Sequence, residues 1–281
     1  MAAAMAETPA AAGWLGSALT KRILSALVML PLALAALWFG KWIFAGLVAL
    51  AAVLMLREWQ RLPDGPENQA APDAKALALG GAALVLAIAL MRLDQRLASF
   101  IVLLFGALAY LWLQPARRRW AFGGMVYVGL PSLSLIWLRD QPEHGRLIVF
   151  WLLLVVWATD TGAYAFGRLI GGPKLIPAIS PNKTWAGLLG GMLCAALAGF
   201  GVAQLEPGLP ALLLGLFAAL VAVVSQAGDF FESGAKRRFG VKDSGALIPG
   251  HGGALDRLDG VLFAAPFVAF GLLLWNGWGL S

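Results

Sequence analysis

The ionisable side chains of this sequence gather in residues 225–259. That stretch holds five carboxylates (Asp229, Glu232, Asp243, Asp256, Asp259), five cations (Lys236, Arg237, Arg238, Lys242, Arg257) and His251, with long apolar runs on both sides. Oxygen ligands with almost no histidine or cysteine suit a hard cation such as Mg²⁺, not zinc. Mg²⁺ is commonly held by one or two carboxylates together with substrate phosphates. Lysines and arginines then meet the remaining phosphate oxygens. The chemistry expected is metal-assisted work on a phosphorylated substrate.

The spacing adds detail. Ser225, Asp229, Glu232 and Ser233 fall at i, i+4, i+7 and i+8, one face of a helix if a helix runs that far. An amphipathic helix end would give the same pattern. Asp256 and Asp259, at i and i+3, share a face near the start of the last apolar run. Attraction of acids to a helix N-terminus explains one of them well. Lys236, Arg237 and Lys242 lie between the acidic clusters and are placed to meet phosphates, whereas Arg238 reads as a solvated charge. His251, between Gly250 and Gly252-Gly253, reads as a phosphate contact or a proton-handling group, with a loop histidine bonded to backbone as the alternative.

Two upstream segments join this set. Asp160 lies within an apolar run, where an acid marks function unless a neighbouring helix satisfies it. The loop GRLIGGPKLIPAISPNKTWAG ends on Ser180-Pro181-Asn182-Lys183-Thr184 before a further run. Ser180 or Asn182 is expected to cap the helix that follows, and Lys183 beside its free amides makes an anion site. Lysine snorkelling would explain Lys183 as well.

The elements that must position these residues are membrane spans. The chain of 281 residues is 60% hydrophobic and 13% charged, against about 45–50% and about 25% in soluble domains. Nine apolar runs, at 23–39, 42–56, 76–91, 97–113, 120–138, 147–166, 185–204, 210–228 and 258–278, consume the length and predict an all-α integral membrane protein of about nine transmembrane helices. The second run is the shortest. The third and fourth are joined by 92–96 and should form a tight hairpin. Pro31, Pro131 and Pro266 fall inside runs, where membrane helices tolerate them. Residues 1–20 read as a poorly ordered lead-in, 21–146 as N-terminal spans beginning with an uncleaved one, and 147–281 as a catalytic region with loops 167–184 and 229–257, all in one continuous membrane domain.

A cytoplasmic N-terminus places 16 of the 21 Lys and Arg on the inner side, as positive-inside sorting requires. It also puts both polar loops in the cytosol. The formal charge of +6 follows these loops, so anionic membrane lipids, not nucleic acid, are the expected polyanionic partners. Arg117 to Arg119 read as a topology anchor. The lone Cys194 excludes an intramolecular disulfide and a thiolate metal cluster. No fixed-period repeat is apparent, which disfavours an inverted-repeat transporter. Small residues such as Gly187, Gly190 and Gly191 permit close helix packing, within the chain or between two copies as a homodimer.

Ser233-Gly234-Ala235-Lys236-Arg237, Lys242-Asp243, Pro249-Gly250-His251-Gly252-Gly253 and Asp256-Arg257-Leu258-Asp259 together resemble the signature of the CDP-diacylglycerol synthase, or phosphatidate cytidylyltransferase, family. DTGAYAFGRLIGG and ISPNKTWAG are similar to its other recurrent blocks, in the same order. The resemblance covers Asp160 to the C-terminus. Ala235 and Ala254 stand where the family has bulkier aliphatics, and Ala186 where a glutamate or glutamine commonly follows the tryptophan. The resemblance implies transfer of a cytidylyl group from CTP to phosphatidate with Mg²⁺, yielding CDP-diacylglycerol and pyrophosphate for phospholipid biosynthesis. It further implies a bacterial inner membrane with the site facing the cytosol. In that reading Asp229, Asp256 and Asp259 hold the metal directly or through water. Asp160 and Ser225 support them. Lys183, Lys236, Arg237 and Lys242, with Ser180, Ser233 and Arg257 nearby, serve the triphosphate and the lipid phosphate. His251 orients or protonates a phosphate oxygen. A CTP-dependent lipid kinase of the polyprenol type is the alternative, and a transporter using the buried acids is a third reading.

Overall fold

The structure, a computed structural model, describes residues 18–65, 73–245, 247 and 252–277. Nine α-helices occupy the described residues: α1 (Ala18–Phe39), α2 (Lys41–Arg61), α3 (Ala74–Arg92), α4 (Arg96–Leu113), α5 (Arg118–Arg139), α6 (Gly145–Leu169), α7 (Trp185–Ala203), α8 (Ala211–Arg238) and α9 (Leu255–Gly277). Each coincides with one apolar run of the sequence. Among the described residues there is no strand, and Lys174 and Thr184 form an isolated antiparallel bridge. Eight helices, α2 to α9, are long and apolar enough to cross a membrane, while the apolar part of α1 counted with them, Leu27–Phe39, is shorter. The lead-in expected over 1–20 falls mostly outside the described residues.

Helices dominate because a span buried in lipid must satisfy its backbone internally. Their outward faces agree with that solvent. Leu189, Leu193 and Leu197 on α7 and Leu212, Leu216 and Leu220 on α8 form exposed stripes at four-residue spacing. Apolar stripes of that length suit acyl chains, not water. The α3–α4 hairpin is as tight as expected. Asp94 takes a left-handed φ of 58°, and Gln95 N donates to Leu90 O at 2.9 Å, closing the end of α3.

Consecutive helices α6, α7, α8 and α9 pack side by side, and α5 joins this half to α2, α3 and α4 mainly through α9. Ends that share a membrane side meet each other. Asp64 pairs with Arg117 at 2.6 Å at one end of the bundle, and Arg139 Nε donates to Leu37 O at 2.8 Å at the other. Between α2 and α5, Trp59 Nε1 donates to Trp120 O at 2.9 Å and Trp120 Nε1 donates to Trp59 O at 2.8 Å, with the two rings stacked 4.0 Å apart. This clasp requires Gly124, where a Cβ would lie 2.2 Å from the Trp59 ring. Gly124→Ala is therefore expected to destabilise the fold by about 1–3 kcal/mol, read as a lower melting midpoint of the detergent-purified protein.

The connectors differ from expectation in two places. Residues 229–257 are not all loop, because α8 continues to Arg238. Ser233 donates to Asp229 at 3.2 Å and Lys236 to Glu232 at 3.1 Å, and these i, i+4 pairs carry the helix through Gly234. At the other end α9 begins at Leu255, three residues before the expected start at Leu258. The non-helical connector is thus shorter, and most of the acids expected in it stand on rigid helices.

Candidate active site

The polar ends of α6, α7 and α8 surround an open cavity of about 610 Å³. Asp160 of α6 opens into it, facing Lys183 from the α6–α7 loop and Gln226 and Asp229 from α8. Close approach of backbones shapes this wall. A Cβ at Gly190 would lie 2.3 Å from Phe166, and one at Gly187 would lie 2.8 Å from Ala163 O. The loop is closed at its base by Leu175 N donating to Lys183 O at 3.0 Å and Trp185 N to Pro173 O at 3.1 Å. Lys183 is consequently fixed at the cavity rim.

The helix cap expected from Ser180 or Asn182 comes instead from Thr184. Its Oγ1 accepts from Gly187 N at 3.1 Å, and its extended backbone has φ −120° and ψ 160°. The bridge to Lys174 holds Thr184 in that extended shape, so the cap falls one residue before the helix. Ser180 makes a turn instead, its N donating to Ile176 O at 3.0 Å.

Lys183 Nζ donates to Gln226 Oε1 at 2.9 Å and to Asp229 Oδ2, and lies 4.8 Å from the Phe230 ring centre. Ser233 Oγ donates to the other Asp229 oxygen, Oδ1. Asp160 stands within electrostatic range of Asp229, Lys183 and Arg257, and Asp259 within range of Asp229, Asp160 and Lys183. Of these three acids Asp229 holds the lysine ammonium directly, and Asp160 and Asp259 act on it through charge.

Asp256 belongs to a second, adjoining cluster. Its Oδ1 accepts from Lys236 Nζ at 2.6 Å, and its Oδ2 from Gly253 N at 2.8 Å and from Ser244 N and Oγ, each at 3.0 Å. Lys236 also reaches Glu232, whose side chain is 1% exposed. Arg237, Lys242 and Arg257 are exposed around these clusters. Ser225 Oγ is buried with no hydrogen-bond partner among the described residues, against Gly260, where a Cβ would lie 2.4 Å away. His251 lies outside the described residues.

Three residues of this neighbourhood escaped the sequence reading. Glu58 of α2 meets the start of α9, Ser244 ties Glu58 to Asp256, and Tyr127 of α5 stands within electrostatic range of Glu232, Asp259 and Asp229. The available signal was Glu58 itself, the lone acid among the residues of α2.

Residues 20–275 match the cytidylyltransferase family, a span that includes both acidic clusters and the cavity. The chain belongs to the cytidylyltransferase family. Its relatives include a protein named phosphatidate cytidylyltransferase from Brucella suis biovar 1, 38% identical over 251 residues that cover 89% of this chain and 91% of the relative. Another of that name, from Staphylococcus saprophyticus, is 40% identical over 183 residues, covering 62% of this chain and 68% of the relative. A third, from Staphylococcus haemolyticus, is 41% identical over 181 residues.

As a cytidylyltransferase the chain would handle a nucleoside triphosphate, whose charge is usually carried with a divalent cation. Among the described residues no three Asp, Glu, His or Cys side chains converge closely enough to hold a metal by themselves. The donor chemistry nevertheless fits a hard cation that shares its ligands with phosphates. Asp229 already binds one cationic group, the Lys183 ammonium, beside a cavity large enough for phosphates. Asp229 and Asp256 each have both oxygens met by protein donors, but Asp256 Oδ2 alone takes Gly253 N, Ser244 N and Ser244 Oγ, so Asp256 fits direct ligation less well.

Proposed function

We propose that this chain is a phosphatidate cytidylyltransferase of a bacterial inner membrane, using CTP and phosphatidate at a site that faces the cytosol. The observation that supports this reading most is the junction of Lys183, Gln226 and Asp229 at the mouth of the cavity, inside a family match that runs nearly the full chain. It sets a cation and carboxylates together where membrane spans meet a polar connector. A water-soluble triphosphate and a lipid phosphate can meet at such a boundary.

In the reaction, an oxygen of the phosphatidate phosphate attacks the α-phosphorus of CTP. The new P–O bond forms as the bond from the α-phosphorus to the bridging oxygen breaks, and pyrophosphate leaves with that oxygen and its electron pair. No protein nucleophile is required, because positioning and charge neutralisation dominate such transfers. Asp229 and Asp259, with Asp160 beside them, would present oxygens to Mg²⁺, and Asp256 would serve it through water. The cation would supply neutralisation of charge on the phosphates. Lys183 binds phosphate oxygens after exchanging its carboxylate partner. Lys236 keeps Asp256 and Glu232 in place, and Arg237, Lys242, Arg257, Ser180, Ser233 and His251 contribute to holding the two substrates. The positive-inside count supports the cytosolic orientation, and the exposed basic residues near the connector suit anionic headgroups.

Detergent-purified protein is expected to release pyrophosphate only when CTP, phosphatidate and Mg²⁺ are all present, and to lose that activity with EDTA and regain it with added Mg²⁺. Formation of CDP with a lipid alcohol, without pyrophosphate, would replace this reading by a lipid kinase.

A further inference from the structure

Helix α9 carries Asp256 and Asp259 in its first five residues, yet the residues before it, Gly252-Gly253-Ala254, include no side chain able to cap a helix. The cap is imported from the other half of the molecule. Glu58 Oε1 accepts from Ala254 N and Oε2 from Leu255 N, both at 2.9 Å, and Oε2 also accepts from Ser244 Oγ at 3.2 Å. An acid at a helix N-terminus is favourable by charge as well as by hydrogen bonding.

The surroundings leave this carboxylate little freedom. Glu58 is 6% exposed. A Cβ at Gly253 would lie 2.6 Å from Glu58 Oε2 and 2.1 Å from Ser244 Oγ, so the connector comes as near as a glycine allows. The neighbouring Trp59 is locked to α5 by the paired indole bonds, which fixes the base from which Glu58 reaches. Ser244 then passes the constraint on, since its amide and hydroxyl both meet Asp256. Its single hydroxyl proton serves one carboxylate at a time.

Helix capping alone could be supplied by a local serine or aspartate, and a buried acid in a span is costly. What a reach from α2 adds is a fixed position for α9 relative to the rest of the bundle. We propose that Glu58 is a positioning residue for cytidylyl transfer, holding the first turn of α9 and the Ser244 segment so that Asp259 stays in range of the cavity acids and Asp256 stays on Lys236. This rests on the proposed function. Glu58 does not line the cavity, so its removal should impair turnover more than substrate binding.

The test is Glu58→Gln in the full-length, detergent-purified chain, with pyrophosphate release and amide hydrogen exchange measured on the same preparation. Gln keeps the shape but turns an NH₂ toward the backbone donors. Turnover is expected to fall roughly 10- to 100-fold, with the KM for CTP changed by less than about 3-fold. Exchange at Ala254 and Leu255 should quicken. Unchanged turnover, or lost turnover without faster exchange at those amides, would overturn the proposal. If the Gln variant does not fold, Glu58→Asp takes its place: reduced turnover at similar KM with faster exchange supports the positioning role, and wild-type turnover overturns it. Wild-type protein that releases no pyrophosphate would sink the functional reading and this proposal together, whereas an active wild type with unimpaired variants sinks this proposal alone.

Discussion

Asp229→Asn is expected to cut pyrophosphate release by roughly 10³-fold while leaving the protein folded. Both oxygens of Asp229 are committed, one to Lys183 and one to Ser233, and it is the acid in direct contact with the loop lysine. An amide keeps the size and one acceptor but loses the charge that both a divalent cation and Lys183 require. The side chains of Asp229 and Lys183 are 29% and 20% exposed, so the pair is screened by the open cavity and contributes at most about 1 kcal/mol to stability. Lost activity with an unchanged melting midpoint would locate the defect in chemistry. Near-normal turnover in the folded variant would remove Asp229 from the site.

Lys236→Met should behave differently. Lys236 lies between Glu232, 1% exposed, and Asp256, 8% exposed. Its loss leaves two carboxylates buried without their cation, and breaking such a pair costs about 3–5 kcal/mol. The variant is expected to melt at a markedly lower temperature and to be inactive. Adding Glu232→Gln removes one of the stranded charges and should recover part of the melting loss without recovering activity. A single variant that melts like wild type would show that the cluster is not held by this lysine.

The contrast between these residues was only partly legible in the sequence. Apolar runs located all nine helices, because span length is imposed by the bilayer and leaves a compositional trace. Asp160, Lys183 and Asp229 could be picked out singly, since polar groups beside spans are few. That Lys183 would sit on Asp229 depends on how the α6–α7 loop folds back, through Leu175 and Trp185 amides, and no spacing encodes it. Asp256 looked equivalent to Asp259 by spacing, yet Ser244 and Gly253 amides saturate one and not the other. The extension of α8 through Gly234 was hidden by the glycine content of the segment, while the side-chain pairs that sustain it were already visible at i, i+4. Glu58 was hidden most completely, for its partners lie far along the chain and are backbone amides, which carry no sequence signature.

That separation also bears on biosynthesis. Glu58 and Ala254 are 196 residues apart, so at roughly 5–20 residues per second a ribosome takes about 10–40 s to supply the amides this acid awaits. Meanwhile α2 enters the bilayer with a carboxylate whose final partners do not yet exist. Its position within a few residues of the end of α2, next to Arg57 and near Arg61, keeps it at the headgroup level in the interim. The two acidic clusters therefore cannot be completed until the start of α9 is made, and chains stalled before it lack Asp256 and Asp259.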